Sequence, residues 1–457
     1  MLWLSFYGYK KWHISFFLTV SFLALSLSPV FAETYFVSTT GNDSNPGTEA
    51  QPWRTIQKAA NTVTAGDTVI VKAGTYDERV TFPSGTTGNE GNKIVFKADP
   101  RRSVYMKGFR TTNVNYLRID GFNITYTAGG WGGGGVWLTS SYVEIVDNYF
   151  YDIPGSAISP AWSGAQPSNI YIAKNKIYKC NKGFVISYNN WLVEHNEVER
   201  LYRQPSGGED ADYVRFFGEN HVIRNNYFHG TLVGEVGASH VDVFQTFGDK
   251  CIPIAKNIII ENNIAMGFYH QGFMMTGDCG KHENIIIRNN IMVAPNASWA
   301  LLAMGIKNLK VYNNIFVNYN LYGVFCREET RGDGIYITTG EIKNNIFYNP
   351  NSNSYWGNFP KNECVGSNNL LYRSGNTIPQ QNFPNDIVNQ DPKFVDVGNN
   401  KFRLQANSPA LNAGVTLSGF SSDIEGRSRP QGSAWDIGAY EYVKDLLPPS
   451  GLRIISQ

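Results

Sequence analysis

Charge is scarce in this chain. Of its 457 residues 17% are Asp, Glu, Lys or Arg, and 39 basic against 38 acidic residues leave a formal net charge of +1. A polyanion-binding protein carries a surplus of Lys and Arg, so nucleic acid is not an expected partner. Cysteine is scarce too. Cys180, Cys251, Cys279, Cys326 and Cys364 are too scattered for a disulfide-stapled small fold, none forms a CxxC metal pair, and the odd number leaves at least one unpaired. Long helical periodicity is missing, and Asn-Gly or Asp-Gly turns between paired apolar runs are few. These absences count against helical bundles and hairpin-built sandwiches. What is abundant is glycine (45), tyrosine (26) and phenylalanine (27), a composition of strands and turns. An all-β class follows.

The N-terminus reads as an export signal. Lys10 and Lys11 precede an apolar run from Ile14 to Leu27, followed by "SPVFA" with the small Ala32 at its end. The run, about 14 residues, falls short of the ~20 that cross a bilayer. The reading is therefore a signal peptide over 1–32, with Glu33 as the first mature residue and no membrane span once it is removed. No Cys follows the run, so no lipid attachment is indicated. The expected location is outside the cytoplasm: secreted, at the cell surface or in the periplasm. Export permits a disulfide. Cys251 with Cys279 is the favoured pair, because both trail a Gly at similar places in neighbouring repeats.

The chain repeats a short phrase: "EIVDNYF", "YIAKNKI", "LVEHNEV", "VIRNNYF", "IIENNIA", "IIRNNIM", "KVYNNIF", "EIKNNIF", "VGSNNLL". Its key Asn recurs at Asn148, Asn175, Asn196, Asn226, Asn263, Asn290, Asn314, Asn345 and Asn369, in steps of 21 to 37 residues. A period of this size means a solenoid. Each step holds two or three short β-rich runs and no helix, so the coil is a parallel β-helix. The key Asn is expected at a sharp corner, where it takes left-handed backbone angles and bonds to the Asn one coil away. These Asn residues are read as architecture.

"YFVSTTGNDSNPGTEAQPWRTIQKAANTVTAGDTVIVKAGTYDERV" (Tyr35 to Val80) resembles the opening of bacterial right-handed parallel β-helix proteins of the pectate-lyase-like superfamily. "DPKFVDVGNNKFRLQANSPALNAG" and "DIGAYEY" resemble their closing segment. The resemblance implies one β-helix domain over 33–442. An N-terminal cap lies at about 33–75, with "WRTIQKAANTV" as a short capping helix, and a closing segment lies at about 379–442. Residues 443–457 read as a linker or tail. A monomer is expected.

Coils ~4.8 Å apart turn sequence positions into surface columns. Aligning the repeats places "CNKGFVISY", "DADYVRFFG", "HVDVFQTFG" and "YHQGFMMTG" over one another. Phe184, Val214, Phe244 and Phe273 then point inward and Val185, Arg215, Gln245 and Met274 outward. Lys182, Asp212, Asp242 and Gln271 form a second column, and Asp152, Cys180, Asp210 and His240 a third. Converging charges of both signs suggest a site; the plainer alternative is that Arg215 pairs with Asp212 or Asp242 while His240 caps a turn. Trp131, Trp137, Trp162, Tyr188, Trp191, Tyr213, Phe217, Phe247 and Tyr269 are candidate sugar platforms. The "GGWGGGG" run reads as a wide turn or flap, since no Lys-Ser/Thr follows it as in a phosphate loop.

Three chemistries fit the cluster. The first is β-elimination on an acidic, uronate-containing polysaccharide. His240, Lys182 or Arg215 would serve as the base, with Asp212 and Asp242 in support and Gln245, Gln271 and Tyr213 binding substrate. A possible Ca²⁺ would sit on Glu209, Asp210, Asp212 and Asp242. A uronate C5-epimerase is a variant sharing the proton abstraction. The second is glycoside hydrolysis by paired Asp residues. The third is non-catalytic polysaccharide binding along the solenoid face. "GEDADYVRFFGENHVIRNNYF" resembles in layout the base-carrying strand of the chondroitinase B and alginate lyase group, with Arg215 standing where a Lys is expected. No "DDGWD"-like run, as in the calcium-dependent pectate lyases, is visible.

Overall fold

The computed structural model describes residues 32–444, apart from 113, 127–133, 162–165, 203–209, 238, 249–253, 268, 277–280, 296, 332–333, 352–363 and 379–382. The expected signal peptide before Ala32, most of the glycine-rich run with Trp131, and Trp162, Glu209, Cys251, Cys279 and the tail beyond Lys444 lie outside the described residues.

The chain is an all-β parallel solenoid of about ten turns. Its strands stack in three columns. In one, Ser168–Ala173 pairs with Asn189–Glu194, and Ala255–Glu261 with Glu283–Arg288. In a second, Tyr227–His229 pairs with Ile264–Met266 and that with Ile291–Val293. The third runs through Lys176–Ile186, Ala211–Phe216, Val241–Phe247, Gln271–Thr276, Trp299–Met304 and Tyr322–Arg327. Every pairing in these columns is parallel. Inward residues from all three fill one continuous apolar core. Among the described residues helix is confined to Ile56–Ala60, Val233–Val236 and one 3₁₀ turn. The first begins where Thr55 accepts the Lys58 N–H at 3.1 Å, and it buries Ile56, Ala59 and Ala60. No helix among them is long and apolar enough to cross a membrane.

The asparagine ladder is present. Asn148 donates its amide to Asn175 Oδ1 at 3.1 Å and Asn175 to Asn196 at 3.0 Å. The chain of bonds continues through Asn226, Asn263, Asn290, Asn314, Asn345 and Asn369. It ends on Asp386 Oδ1 at 3.2 Å. The expectation that the ladder Asn itself takes left-handed angles is corrected. The residue before it does: Asp147, Lys174, His195, Asn225, Asn262, Asn289, Asn313, Asn344 and Asn368 all have φ between 53° and 59°. The "NN" doublet therefore divides two tasks. Its first Asn tolerates the left-handed turn and its second makes the ladder bond.

Three early coils place Asp, Lys and His at that turn, where left-handed angles cost an ordinary L-residue roughly 1–2 kcal/mol. Lys174 is exposed, so Lys174→Asn is expected to stabilise the protein by about 1 kcal/mol. The urea midpoint reads this, and an unchanged or lower midpoint counts against the division of labour.

The last coils carry an outer cover. Ile291, Val293, Ile315, Val317, Ile346 and Leu370 form a second apolar cluster with Phe394, Phe402, Leu404, Ala410, Ile424 and Ile437. The cysteines that pair among the described residues are Cys326 and Cys364; Cys180 is free and buried.

Candidate functional site

The expected register is found: Val214 pairs with Phe244 and that with Phe273, Asp212 with Asp242 and that with Gln271, and Arg215 with Gln245. Simple alternation is broken in the same strands. Tyr213 and Val214 are both core residues, as are Val243 and Phe244. Two consecutive inward side chains bring residues three apart onto one outer face, so Asp212 joins Arg215 and Asp242 joins Gln245.

Arg215 Nε donates to Asp212 Oδ2 at 2.9 Å, a second guanidinium nitrogen reaches the same oxygen, and a 3.5 Å contact reaches Asp210 Oδ2. The guanidinium lies over the Phe247 ring. Gln245 Nε2 donates to Asp242 Oδ2 at 3.1 Å and to Asp210 Oδ2 at 3.3 Å. His240 Nδ1 meets Asp242 Oδ2 at 3.1 Å. Asp212 and Asp242 are 0% exposed, whereas the His240 and Asp210 side chains keep 36% and 38% of their surface. The cluster thus offers solvent one imidazole and one carboxylate.

The sequence reading missed His270. Its ring stacks on His240 at 5.1 Å with 5° between planes, and its Nδ1 accepts the Val241 N–H at 2.9 Å. It stands directly before Gln271.

Other expected residues fall elsewhere. Tyr213 is corrected: it is a core residue, 1% exposed, with its hydroxyl on Thr231 Oγ1 at 2.6 Å, and cannot face a sugar. Trp191, Phe217 and Tyr269 are likewise buried. Lys182 is in the expected column beside Asp212, where its charge favours the ionised carboxylate, but it is 4% exposed and donates to Asn181 Oδ1 at 2.7 Å, so it is no surface base. Cys180 leaves the polar column, being buried opposite Ile153 and Leu201. Gln271 is in the expected column but 3% exposed.

The residues named for calcium supply hard oxygens, and the buried Asp212 Oδ1, Asp242 Oδ1, Gln245 Oε1 and Gln271 Oε1 have no hydrogen-bond partner. Among the described residues no three of the carboxylates named for calcium bring an oxygen each within 4.8 Å of one another; the group whose ligand atoms do is Glu197, Glu199 and His229. There Lys176 already lies 3.5 Å and 3.1 Å from the two carboxylates. The Oδ2 atoms of Asp212 and Asp242 are held by Arg215, His240 and Gln245, and Glu209, the fourth residue named for calcium, lies outside the described residues.

Burial, reinforced by Asp212 and Asp210 and opposed by His240, pushes the Asp242 carboxyl up to about 7. Burial also raises Asp212 despite Arg215. The hydrogen bond to Asp242 raises His240 above its usual value, against its own desolvation, while burial beside His240 lowers His270. Asp242 and His240 together hold a proton more tightly than either does in water, where they release it near 3.9 and 6.5. The folded state then binds more protons than the unfolded chain from about pH 4 to above 7, so this pair makes stability fall as pH rises through that window. Asp242→Asn keeps an acceptor for His240 and removes the buried charge. Its stability is expected to decline less steeply between pH 5 and 8, and its melting temperature at pH 8 to exceed the parent's by about 1–3 °C. Calorimetry across that range checks this; parallel curves contradict it.

Residues 35–229 match the family model described as "Pel9A-like, right handed beta helix region". A curated relative, the uncharacterized protein YwoF of Bacillus subtilis (strain 168), is 35% identical over 81 residues, which cover 18% of this chain and 17% of YwoF. The fold resembles the crystal structure of pectate lyase Pel9A (18% identity, TM-score 0.50, covering 90% of this chain and 96% of that one). It also resembles the complex of XylC with xylose (13% identity, TM-score 0.52, covering 90% and 98%). Residues 35–229 are thus similar to that family's β-helix region, and the fold of the chain is a right-handed parallel β-helix.

Proposed function

We propose that this protein is an exported polysaccharide lyase that cleaves a uronate-containing chain by β-elimination, with His240 as the base. The observation that carries the reading is the Asp242–His240 pair: Nδ1 is held by a buried carboxylate and the other edge of the ring is accessible. A carboxylate at one nitrogen fixes the tautomer and leaves Nε2 as the proton acceptor. Nε2 takes the hydrogen on the carbon beside the uronate carboxylate. The C–H pair becomes the new C=C bond, and the glycosidic C–O bond breaks, its oxygen leaving with a proton from solvent. Arg215, 4% exposed and held by Asp212, supplies positive charge behind the cluster rather than a direct contact with the sugar carboxylate. No step is routed through calcium.

Paired-carboxylate hydrolysis is less well supported, because it needs two carboxyls against the substrate and Asp212 and Asp242 are both buried. Export has its own support. Glu33, the first residue after the expected cleavage point, donates its N–H to the buried Asp67 at 2.9 Å, and cleavage after Ala32 would set an α-ammonium beside that carboxylate. The Ile56–Ala60 helix is read as the cover of the first coil's edge.

The experiment is a product assay on polygalacturonate, alginate, glycosaminoglycan and xylan, each with and without chelator. Ultraviolet-absorbing unsaturated ends are expected from an acidic polymer. New reducing ends without that absorbance would turn the reading to hydrolysis, and neither product to binding.

A further inference from the structure

A second left-handed column lies at the start of the strand column that includes Ser168–Ala173 and Ala255–Glu261. Asn169, Asn190, Asn220, Asn257, Asn284 and Asn308 occupy it with φ from 53° to 60°. Most are joined by amide bonds: Asn190 to Asn169 at 3.2 Å, Asn257 to Asn220 at 3.0 Å, Asn284 to Asn257 at 2.9 Å and Asn308 to Asn284 at 2.7 Å. Unlike the buried ladder this one is exposed. In the two coils preceding Asn169 the same position is taken by Tyr116 (φ 54°) and Tyr142 (φ 57°). A tyrosine has no local amide to stabilise left-handed angles, which cost it roughly 1–2 kcal/mol. Such strain persists where a side chain is needed for something else.

The side chains show what they offer. The two rings stack face to face at 4.4 Å with 4° between planes, and Tyr142 is 43% exposed. They line an open cavity of about 840 Å³ together with Tyr171, Asn169, Lys93 and Glu144. Tyr171 is fixed by its hydroxyl bond to Glu194 at 3.0 Å, and Glu144 is paired with both Lys93 and Arg118. The volume lies within the usual range of ligand sites. The stacked pair leaves the Tyr142 ring partly open, and beside it amide and ion-paired groups that can hydrogen-bond without net charge suit contact with a pyranose ring of an extended chain.

We propose that Tyr116 and Tyr142 form an accessory polysaccharide-binding platform, on a different sheet from the His240 cluster, that engages a polymer through the apolar faces of its sugar rings. It is independent of the lyase reading. The fold itself suggests the test variant, since other coils carry Asn at this position: Tyr116→Asn with Tyr142→Asn removes both rings and relieves the backbone. The full-length protein is run in native gels containing polygalacturonate, alginate or xylan, with reference proteins for sieving.

Retardation of the parent by at least one polymer is expected, and it should persist at raised salt. In the double variant the apparent dissociation constant should rise about tenfold, from the loss of two stacking contacts, with a melting temperature equal to or above the parent's. His240→Gln should be retarded like the parent. A folded double variant retarded as strongly as the parent overturns the proposal, as does a parent that none of the three polymers retards.

Discussion

His240→Gln is expected to lower kcat by about 10²–10⁴-fold, the usual contribution of a general base, with KM nearly unchanged. Gln matches the imidazole in reach and keeps a polar group toward Asp242, but it cannot take a proton. A loss confined to kcat marks the residue as acting on the reacting atoms rather than on substrate affinity. The pH profile supplies a second readout. In the parent, activity should rise with pH as the shared Asp242–His240 proton leaves, and that limb should vanish in the variant. The raised affinity of His240 for its proton, caused first by the Asp242 bond, puts the limb above 6.5, the value of a free imidazole. A His240→Gln enzyme that retains the parent's kcat, or loses activity only through KM, removes His240 from the chemistry.

The scaffold was readable because its determinants repeat. Nine Asn phrases fix the coil length, and once coils are stacked the pairing of Asp212 with Asp242 and of Arg215 with Gln245 follows from counting. Burial was not readable. Whether an outward Asp is open or sealed depends on neighbours from other coils, so Asp212 and Asp242 read as accessible ligands, although they are wholly enclosed. The same limit misplaced Tyr213, because two consecutive inward residues look in sequence like one inward and one outward. His270 escaped notice for a related reason: its role depends on a ring-to-ring stack with His240, 30 positions earlier, that no local pattern announces. The exposed Asn column was hidden because it lacks the doublet of the buried one, and Tyr116 and Tyr142 interrupt it.

The C-terminal cover holds the other large expected effect. Arg429 and Glu441 have fully buried side chains and meet at 2.7 Å. Glu441 also accepts the Asp436 and Gln431 N–H groups at 2.9 Å each. Arg429 reaches Asn289 Oδ1 at 3.1 Å and the Gly438 carbonyl at 3.0 Å. Since Asn289 is the left-handed member of a coil doublet, the pair fastens the cover to the solenoid. Removing one partner of a buried ion pair leaves the other charged and enclosed, at a cost of about 3–5 kcal/mol. Glu441→Leu is therefore expected to cost that much, with Arg429→Met similar. The double variant Arg429→Met with Glu441→Leu should cost clearly less than the sum, because no orphan charge remains. Urea unfolding of all four proteins gives the coupling. Hydrogen exchange should show the lost protection concentrated in 410–441 and in Ile291–Val293 and Ile315–Val317, the strands whose outer faces the cover packs against. Additive single-variant costs, or protection lost evenly along the solenoid, would mean that the cover is held by its apolar contacts and that the ion pair adds little.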